Sequence, residues 1–215
     1  MAQRTIHYLL GRLLLREEPV GDAERFLLGC LLPDAYADPA DRPATHFINR
    51  SIPGMHYFDY DAFRERFAAQ MGDPLYQGYC LHLLEDNCYR LFFRQRLALS
   101  IDPEDAEQVA ALHRDYRLLN ARIVARYGLR CEVEHPAAFA REPLSTVAAF
   151  ATEDFLAAFA RDFTEKEEGE LRFLTEAALE EYLDGCYPLC LEALRALRHG
   201  GRLLPAADLA WTDPK

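Results

Sequence analysis

Apolar side chains recur at three- and four-residue steps along most of this chain, and no segment alternates apolar and polar residues for long. A period near 3.6 residues puts apolar side chains on one face of a helix, whereas a half-buried strand needs a period of two. The pattern predicts helices over residues 3–16, 22–32, 59–70, 74–99, 103–127, 144–163 and 169–198. The sequence therefore favours an all-α fold, in which about six to seven helices form a single-domain bundle.

Prolines and glycines separate the predicted helices. The longest non-helical region, residues 33–58, contains four prolines, and loops of this length are often functional. We expect residues 1–201 to form one helical domain and residues 202–215 to be a loosely attached C-terminal tail. Trp211, within that tail, is a candidate to dock on the body of the domain.

Composition limits the class of protein. Half of the 215 residues are apolar, which excludes an intrinsically disordered chain, and one hydrophobic core suffices for this length. The net charge of −11 counts against nucleic acid as a partner, because nucleic-acid-binding proteins usually carry a basic surface. No apolar run reaches the roughly 18 residues that a membrane-spanning helix needs. The first residues lack the pattern of a secretion signal, so we expect a cytoplasmic bacterial protein whose six cysteines are free thiols.

The predicted helix 74–99 carries the most informative pair of residues. His82 and Asp86 are four residues apart, so they lie on one face of a helix, one turn apart. They fall within an apolar stripe and should point into the protein, where an imidazole and a carboxylate without partners are costly. The spacing suits two ligands of one metal ion, and it suits a buried hydrogen bond between the two side chains equally well. Gly78, one turn earlier, indicates a close approach by a neighbouring segment.

Three further residues offer metal ligands next to apolar sequence. His7 lies inside an apolar helical run, Asp34 follows a proline that ends a buried segment, and His46 lies in the proline-rich region. With the helix pair, Asp34 and His46 would make a site of two histidines and two carboxylates. Such a site is suited to zinc, manganese or iron.

His113 is a candidate ligand for a second ion. It shares a helix face with Tyr116 and Asn120 and lies at the edge of an apolar seam. The alternative is a histidine at the boundary of the core that makes an ordinary hydrogen bond. Asp115 points about 200° away on the same helix, so it should not share a site with His113.

Four of these residues, in this order along the chain, resemble the zinc-dependent phospholipase C superfamily, which includes the single-strand-specific zinc nucleases. In that family an Asp from a Pro-Asp step, a loop His and a His-x-x-x-Asp helix pair surround one zinc ion. The residues that match these positions are Asp34, His46, His82 and Asp86. An early histidine of the family contributes to another zinc ion, and its match here is His7.

The resemblance covers roughly residues 5–90, and its phrases at 26–34, 45–48 and 78–86 look like the small unsecreted bacterial branch of the family. Two features of the secreted members have no counterpart in this sequence. One is an N-terminal Trp ligand, and the other is a second helix pair of the form His-x-x-x-Glu. The resemblance therefore implies one or two zinc ions between helices rather than a trinuclear cluster.

The resemblance also implies a function: metal-dependent hydrolysis of a phosphoester, as in a phospholipase C or a phosphodiesterase, by a metal-activated water. Asp34 would be the catalytic residue that orients this water. The expected substrate is a small phosphoester or a phospholipid, and Arg50, Arg90 and Arg94 are candidates to bind its phosphate. Two alternatives stay open: a non-enzymatic helical protein with a closed structural metal site, and a metal-free binding module. The sequence makes no prediction of the oligomeric state.

Overall fold

The structure, a computed structural model, describes residues 3–95, 105–133, 139–165 and 168–212. These residues form eight α-helices: α1 (Arg4–Glu17), α2 (Ala23–Gly29), α3 (Arg42–Thr45), α4 (Tyr60–Arg66), α5 (Pro74–Gln95), α6 (Ala106–Tyr127), α7 (Thr152–Arg161) and α8 (Glu176–His199). One small antiparallel sheet, β1 (Ile48–Asn49) with β2 (Tyr57–Phe58), is the only sheet in these ranges. The predicted all-α fold is therefore confirmed. No helix of the described ranges is long and apolar enough to cross a membrane.

Most predicted helices lie where the apolar period places them. The predictions 3–16, 74–99 and 103–127 correspond to α1, α5 and α6. Residues 96–99 of the second prediction and 103–104 of the third lie outside the described part of the chain. The helices α2 and α4 are shorter than predicted, because each gives way to a turn of 3₁₀-helix before the predicted end.

The predicted starts of the last two helices are wrong. The segment predicted as 144–163 begins as a 3₁₀-helix, Pro143–Thr146, and α7 starts eight residues later than predicted, at Thr152. The segment predicted as 169–198 becomes helical only at the start of α8. The reason there is Asp115, a buried side chain of α6 whose carboxylate accepts the backbone N–H groups of residues 172–174 at 2.5–3.0 Å. Those contacts hold the segment before α8 in a non-helical conformation.

The proline-rich region 33–58 contains α3 and the small sheet, and two contacts fasten it to α5. The side chain of Asn87 donates to the carbonyl of Phe58 and accepts from its N–H, at 2.9 and 2.8 Å. The hydroxyl of Tyr79 donates to the carbonyl of Thr45 at 2.5 Å. Since Asn87 and Tyr79 flank the predicted ligand pair on α5, these bonds hold the region beside that pair.

The helix α5 lies at the centre of the bundle, where every residue from 75 to 89 is buried. Its closest neighbour is α2, which it meets backbone to backbone at two glycines. A Cβ atom on Gly78 would lie 2.2 Å from the carbonyl oxygen of Phe26, and one on Gly29 would lie 2.1 Å from that of Leu75. The close approach expected at Gly78 is thus present, and only glycine permits it.

The segment that follows α8 packs on the body, so the expectation of a loosely attached tail is wrong for residues 203–211. Its buried residues are Leu203, Ala206, Leu209, Ala210 and Trp211. Trp211 exchanges two backbone hydrogen bonds with His56, at 2.7 and 2.8 Å, and its ring lies 4.7 Å from that of Phe58. The expected docking of Trp211 is therefore confirmed, whereas residues 213–215 lie outside the described part of the chain.

We predict that Gly78→Ala lowers the free energy of unfolding by about 3 kcal/mol, because the new methyl group would overlap a backbone oxygen that cannot move aside like a side chain. Gly185→Ala is the matched control: Gly185 is an exposed glycine of α8 with open space around its Cβ position, so alanine should stabilise by about 0.5–1 kcal/mol. Urea unfolding followed by circular dichroism measures both. Equal stability of the two variants would contradict the backbone contact.

Candidate metal centre

Five of the six predicted ligands come together between α1, α3 and α5. His7 comes from the middle of α1, and His82 and Asp86 come from α5. Asp34 ends a 3₁₀-turn after α2, and His46 follows the last residue of α3. The ligand atoms of His7, Asp34 and His82 all lie within 4.8 Å of one another, and so do those of His46, His82 and Asp86. We call these five side chains the His/Asp cluster.

Within the His/Asp cluster, nitrogens and oxygens face each other at 3.2–3.8 Å, at or beyond the long end of the hydrogen-bond range and close enough for a shared cation. Nε2 of His46 lies 3.2 Å from Oδ1 of Asp34 and 3.6 Å from Oδ2 of Asp86. Nε2 of His7 lies 3.5 Å from Oδ1 of Asp86, and Nε2 of His82 lies 3.8 Å from Oδ2 of the same residue. At 3.8 Å, His82 and Asp86 do not form the direct hydrogen bond that was the alternative to a metal site.

Each imidazole is oriented by a hydrogen bond at its other ring nitrogen. Nδ1 of His82 lies 2.8 Å from the carbonyl oxygen of Cys30, and Nδ1 of His46 lies 3.2 Å from that of Arg42. A carbonyl oxygen can only accept, so in both rings Nδ1 carries the proton and Nε2 presents its lone pair to the cluster. Nδ1 of His7 meets Oε2 of Glu85 at 2.7 Å. This is the arrangement that orients histidine ligands in metal sites.

Four of the inward-facing atoms have no hydrogen-bond partner among the described residues. In the part of the chain that the structure describes, Nε2 of His7, His46 and His82 is buried without a hydrogen-bond partner. Oδ1 of Asp34 is also buried without one. Buried polar atoms are nearly always satisfied, and each exception costs about 1–3 kcal/mol. Four such atoms at one point are therefore the strongest local indication that these side chains could hold a metal ion.

The stacked rings of His7 and His82 have pKa values that are shifted in opposite directions. Burial lowers the pKa of His7, but the carboxylates of Glu85 and Asp86 outweigh it and raise that pKa to about 10. Burial, together with the nearby charge of His7, lowers the pKa of His82 to about 3. The rings are 3.8 Å apart, so the positive charge of protonated His7 keeps His82 neutral. Burial raises the pKa of Asp86, but its contacts with His7 and His82 outweigh this and hold that pKa well below the usual range.

Glu85 is the residue of this site that the sequence reasoning missed. It is buried and, besides His7, it contacts the hydroxyl of Tyr182 through Oε1 at 3.3 Å. One signal was available: Glu85 and Asp86 are the only charged residues between Pro74 and Arg90. A carboxylate three residues after His82 lies on the same side of the helix, where it needs a cationic or hydrogen-bonding partner.

His113 is not brought into the His/Asp cluster. It is exposed on α6 and lines a cleft of about 780 Å³, to which Asp34 also contributes. Asp34 is the connection between the cleft and the cluster: its side chain is 13% exposed, whereas those of the other four cluster residues are 0% exposed. Asp115 points away from His113, as expected, towards the segment before α8.

We predict that the purified protein binds a divalent metal ion and that the double variant His82→Ala/Asp86→Ala does not. The variant removes two donors from the centre of the cluster. Elemental analysis after chelation and reconstitution measures the metal content. His113→Ala is the matched control and should keep the ion, because His113 lies outside the cluster. Loss of the ion in the control, with retention in the double variant, would contradict this assignment.

We also predict that metal binding at pH 7 releases about one proton. His7, with a pKa of about 10 in the metal-free protein, is protonated at pH 7, and a metal ion binds only the neutral imidazole. As the pH rises towards 10 this proton is lost more easily, so the apparent affinity should rise by about tenfold per pH unit. Calorimetric titration with zinc in two buffers of different ionisation enthalpy measures the release. An affinity that is constant between pH 6.5 and 8.5 would contradict the assignment.

Comparisons with models of protein families, with curated proteins and with solved structures find no match to this chain. What the protein does is therefore argued from the chemistry of the His/Asp cluster and of the cleft that reaches it.

Proposed function

We propose that this protein is a metal-dependent hydrolase of phosphoesters that holds zinc in the His/Asp cluster. The observation that carries the proposal is the position of Asp34, which belongs both to the cluster and to the wall of the cleft. A closed structural site needs four protein ligands and no route to solvent, whereas a catalytic site keeps one side open. The cluster meets the cleft at Asp34, as an open site requires.

The donor set supports zinc. Zinc–nitrogen and zinc–oxygen bonds of about 2.0–2.1 Å put tetrahedral ligands about 3.3 Å apart, and the facing atoms of the cluster are 3.2–3.8 Å apart. Manganese and iron accept the same mixture of imidazole and carboxylate. Asp86 turns Oδ1 to His7 and Oδ2 to His46 and His82, so it can serve one ion or bridge two. The resemblance to the zinc-dependent phospholipase C superfamily adds to this support.

The charge of the cleft supports a phosphoester as the substrate. Five arginines from five different helices line it, in a protein whose net charge is −11: Arg4, Arg42, Arg90, Arg117 and Arg161. One guanidinium group can donate two parallel hydrogen bonds to a phosphate, so arginines suit an anionic substrate. Of the arginines predicted to bind phosphate, Arg90 lines this cleft and Arg50 does not. The side chain of Arg94 lies outside the described part of the protein.

A bound divalent ion would polarise the phosphoryl group and lower the pKa of a water molecule towards 7. The remaining steps depend on side chains of the protein. Burial raises the pKa of Asp34, but the close contact with Nε2 of His46 and the charges of the neighbouring histidines outweigh it and lower that pKa, so the carboxylate is ionised at neutral pH. An ionised carboxylate at the floor of the cleft can accept a hydrogen bond from a water and orient it towards the phosphorus. The arginines of the cleft would attract an anionic substrate towards the cluster.

We predict that Asp34→Asn keeps the metal ion but lowers kcat for a phosphoester by about 100-fold, because the amide donates where the carboxylate accepts. Hydrolysis of bis-p-nitrophenyl phosphate and p-nitrophenyl phosphate by the zinc-loaded protein measures this, beside the metal content. Asp184→Asn, an exposed aspartate of α8, is the control and should be unchanged.

Two results would count against the proposal. Full metal content and full activity in Asp34→Asn would remove the catalytic role of Asp34. A zinc-loaded wild-type protein that hydrolyses neither compound would favour the alternative of a structural ion.

A further inference from the structure

The proposed function leaves the substrate open between a phospholipid, a nucleotide and another small phosphoester. Resting on that proposed function, we infer that the cleft takes a compact, water-soluble phosphoester that carries a second anionic group, and that Arg90 binds this second group. Three observations lead to this inference: the environment of Arg90, the lining of the cleft, and the small amount of exposed apolar surface.

Arg90 differs from Arg4 and Arg161 because no carboxylate of the described residues pairs with it. Arg4 holds both oxygens of Asp162, at 2.5 and 2.9 Å, and Arg161 lies 3.8 Å from Glu165. Arg90 is half-buried and its guanidinium lies 5.9 Å from the ring of Trp211, but its buried Nε has no hydrogen-bond partner among the described residues. A cation in this position is costly without an anion, so a ligand that supplies one would bind there favourably.

An anion bound by Arg90 would lie apart from the phosphate that reacts. Arg90 follows Asp86 by four residues on α5, so it lies on the same face of the helix, one turn and roughly 6 Å further along. The reacting phosphoryl group would lie at the His/Asp cluster, where Asp34 opens on the cleft. A second anionic group, one helical turn away, would then meet Arg90. An anion at Arg90 would therefore be distinct from the reacting phosphate, as in a molecule with two phosphates.

The lining of the cleft does not suit acyl chains. Beside Gln3, His113 and its charged residues, the described lining of the cleft has two aliphatic side chains, Leu112 and Ala158, and the rings of Phe155, Tyr36 and Tyr116. One of those rings, Phe155, lies 5.6 Å from the guanidinium of Arg4 and makes a cation–π contact with it. The volume of about 780 Å³ lies within the usual range for a small-molecule site. The other two rings, Tyr36 and Tyr116, offer flat surfaces for a planar group such as a nucleobase.

The surface around the cleft does not suit a lipid interface. Proteins that act at a membrane surface present an apolar patch to it. The only large hydrophobic residues that are exposed in the described part of the chain are Leu189, at 39%, and Leu204, at 42%. Neither lines the cleft. A phospholipid in a bilayer is therefore disfavoured as the substrate.

Binding affinities test the inference separately from the rate of hydrolysis. Calorimetry with zinc-loaded protein would compare adenosine 3′,5′-bisphosphate with adenosine 5′-monophosphate, which differ by one phosphate. We expect the bisphosphate to bind at least tenfold more tightly to the wild type, and Arg90→Met to lose this preference. Arg90→Lys, which keeps the charge and loses the paired donors, should keep part of it. Arg16→Met, at an exposed arginine in the last turn of α1 outside the cleft, is the matched control and should bind like the wild type.

Hydrolysis tests the substrate class. The dinucleotides pApA and ApA contain the same diester, and only pApA carries the additional phosphate. We expect kcat/KM at least tenfold higher for pApA, and no release of phosphocholine from phosphatidylcholine vesicles. Equal rates for the two dinucleotides, faster cleavage of the vesicles, or an unchanged preference in Arg90→Met would overturn the inference.

The two proposals fail in different ways. Hydrolysis of bis-p-nitrophenyl phosphate without any preference for the bisphosphate would leave the proposed function standing and remove the second anion site. A bisphosphate preference that depends on Arg90, in a protein that hydrolyses none of the compounds, would keep the anion site and remove the hydrolase.

Discussion

The backbone contact between α2 and α5 determines where the donors of the His/Asp cluster lie. Gly29 and Gly78 allow the two helices to touch without side chains between them. One residue after Gly29, the carbonyl of Cys30 accepts the hydrogen bond that orients His82, one turn after Gly78. The chain then turns through a short 3₁₀-helix to Asp34. A wider separation of the helices would lose both the orientation of His82 and the position of Asp34.

The cluster joins metal binding to the stability of the fold. Its three imidazoles come from α1, α5 and the end of α3, and each is oriented by a different group: Glu85, the carbonyl of Cys30, or the turn of α3. Buried nitrogens and oxygens without hydrogen-bond partners oppose folding of the metal-free chain. An ion that satisfies them would add its binding free energy to that of folding. The same polar groups would thus bind the ion and hold three segments together.

The sequence reasoning succeeded where the signal is local. The apolar stripe around His82 and Asp86 follows from the helical period alone, and Gly78 indicated a neighbour without naming it. The failures all involve partners that are distant along the chain. Glu85 meets His7 from 78 residues away, and Asp115 delays the start of α8 by binding residues 172–174. The edge position of His113 was correct, but the period of one helix cannot indicate which neighbouring element that edge faces.

The small opening at Asp34 also affects which metal the protein would contain. Four of the five donors are fully buried, so in the described part of the fold an ion enters or leaves past one partly exposed carboxylate. The rate at which an ion exchanges would therefore depend on Asp34, whereas the affinity would depend on all five donors. Metal identity would follow the order of affinities among divalent ions only where exchange past Asp34 has reached equilibrium.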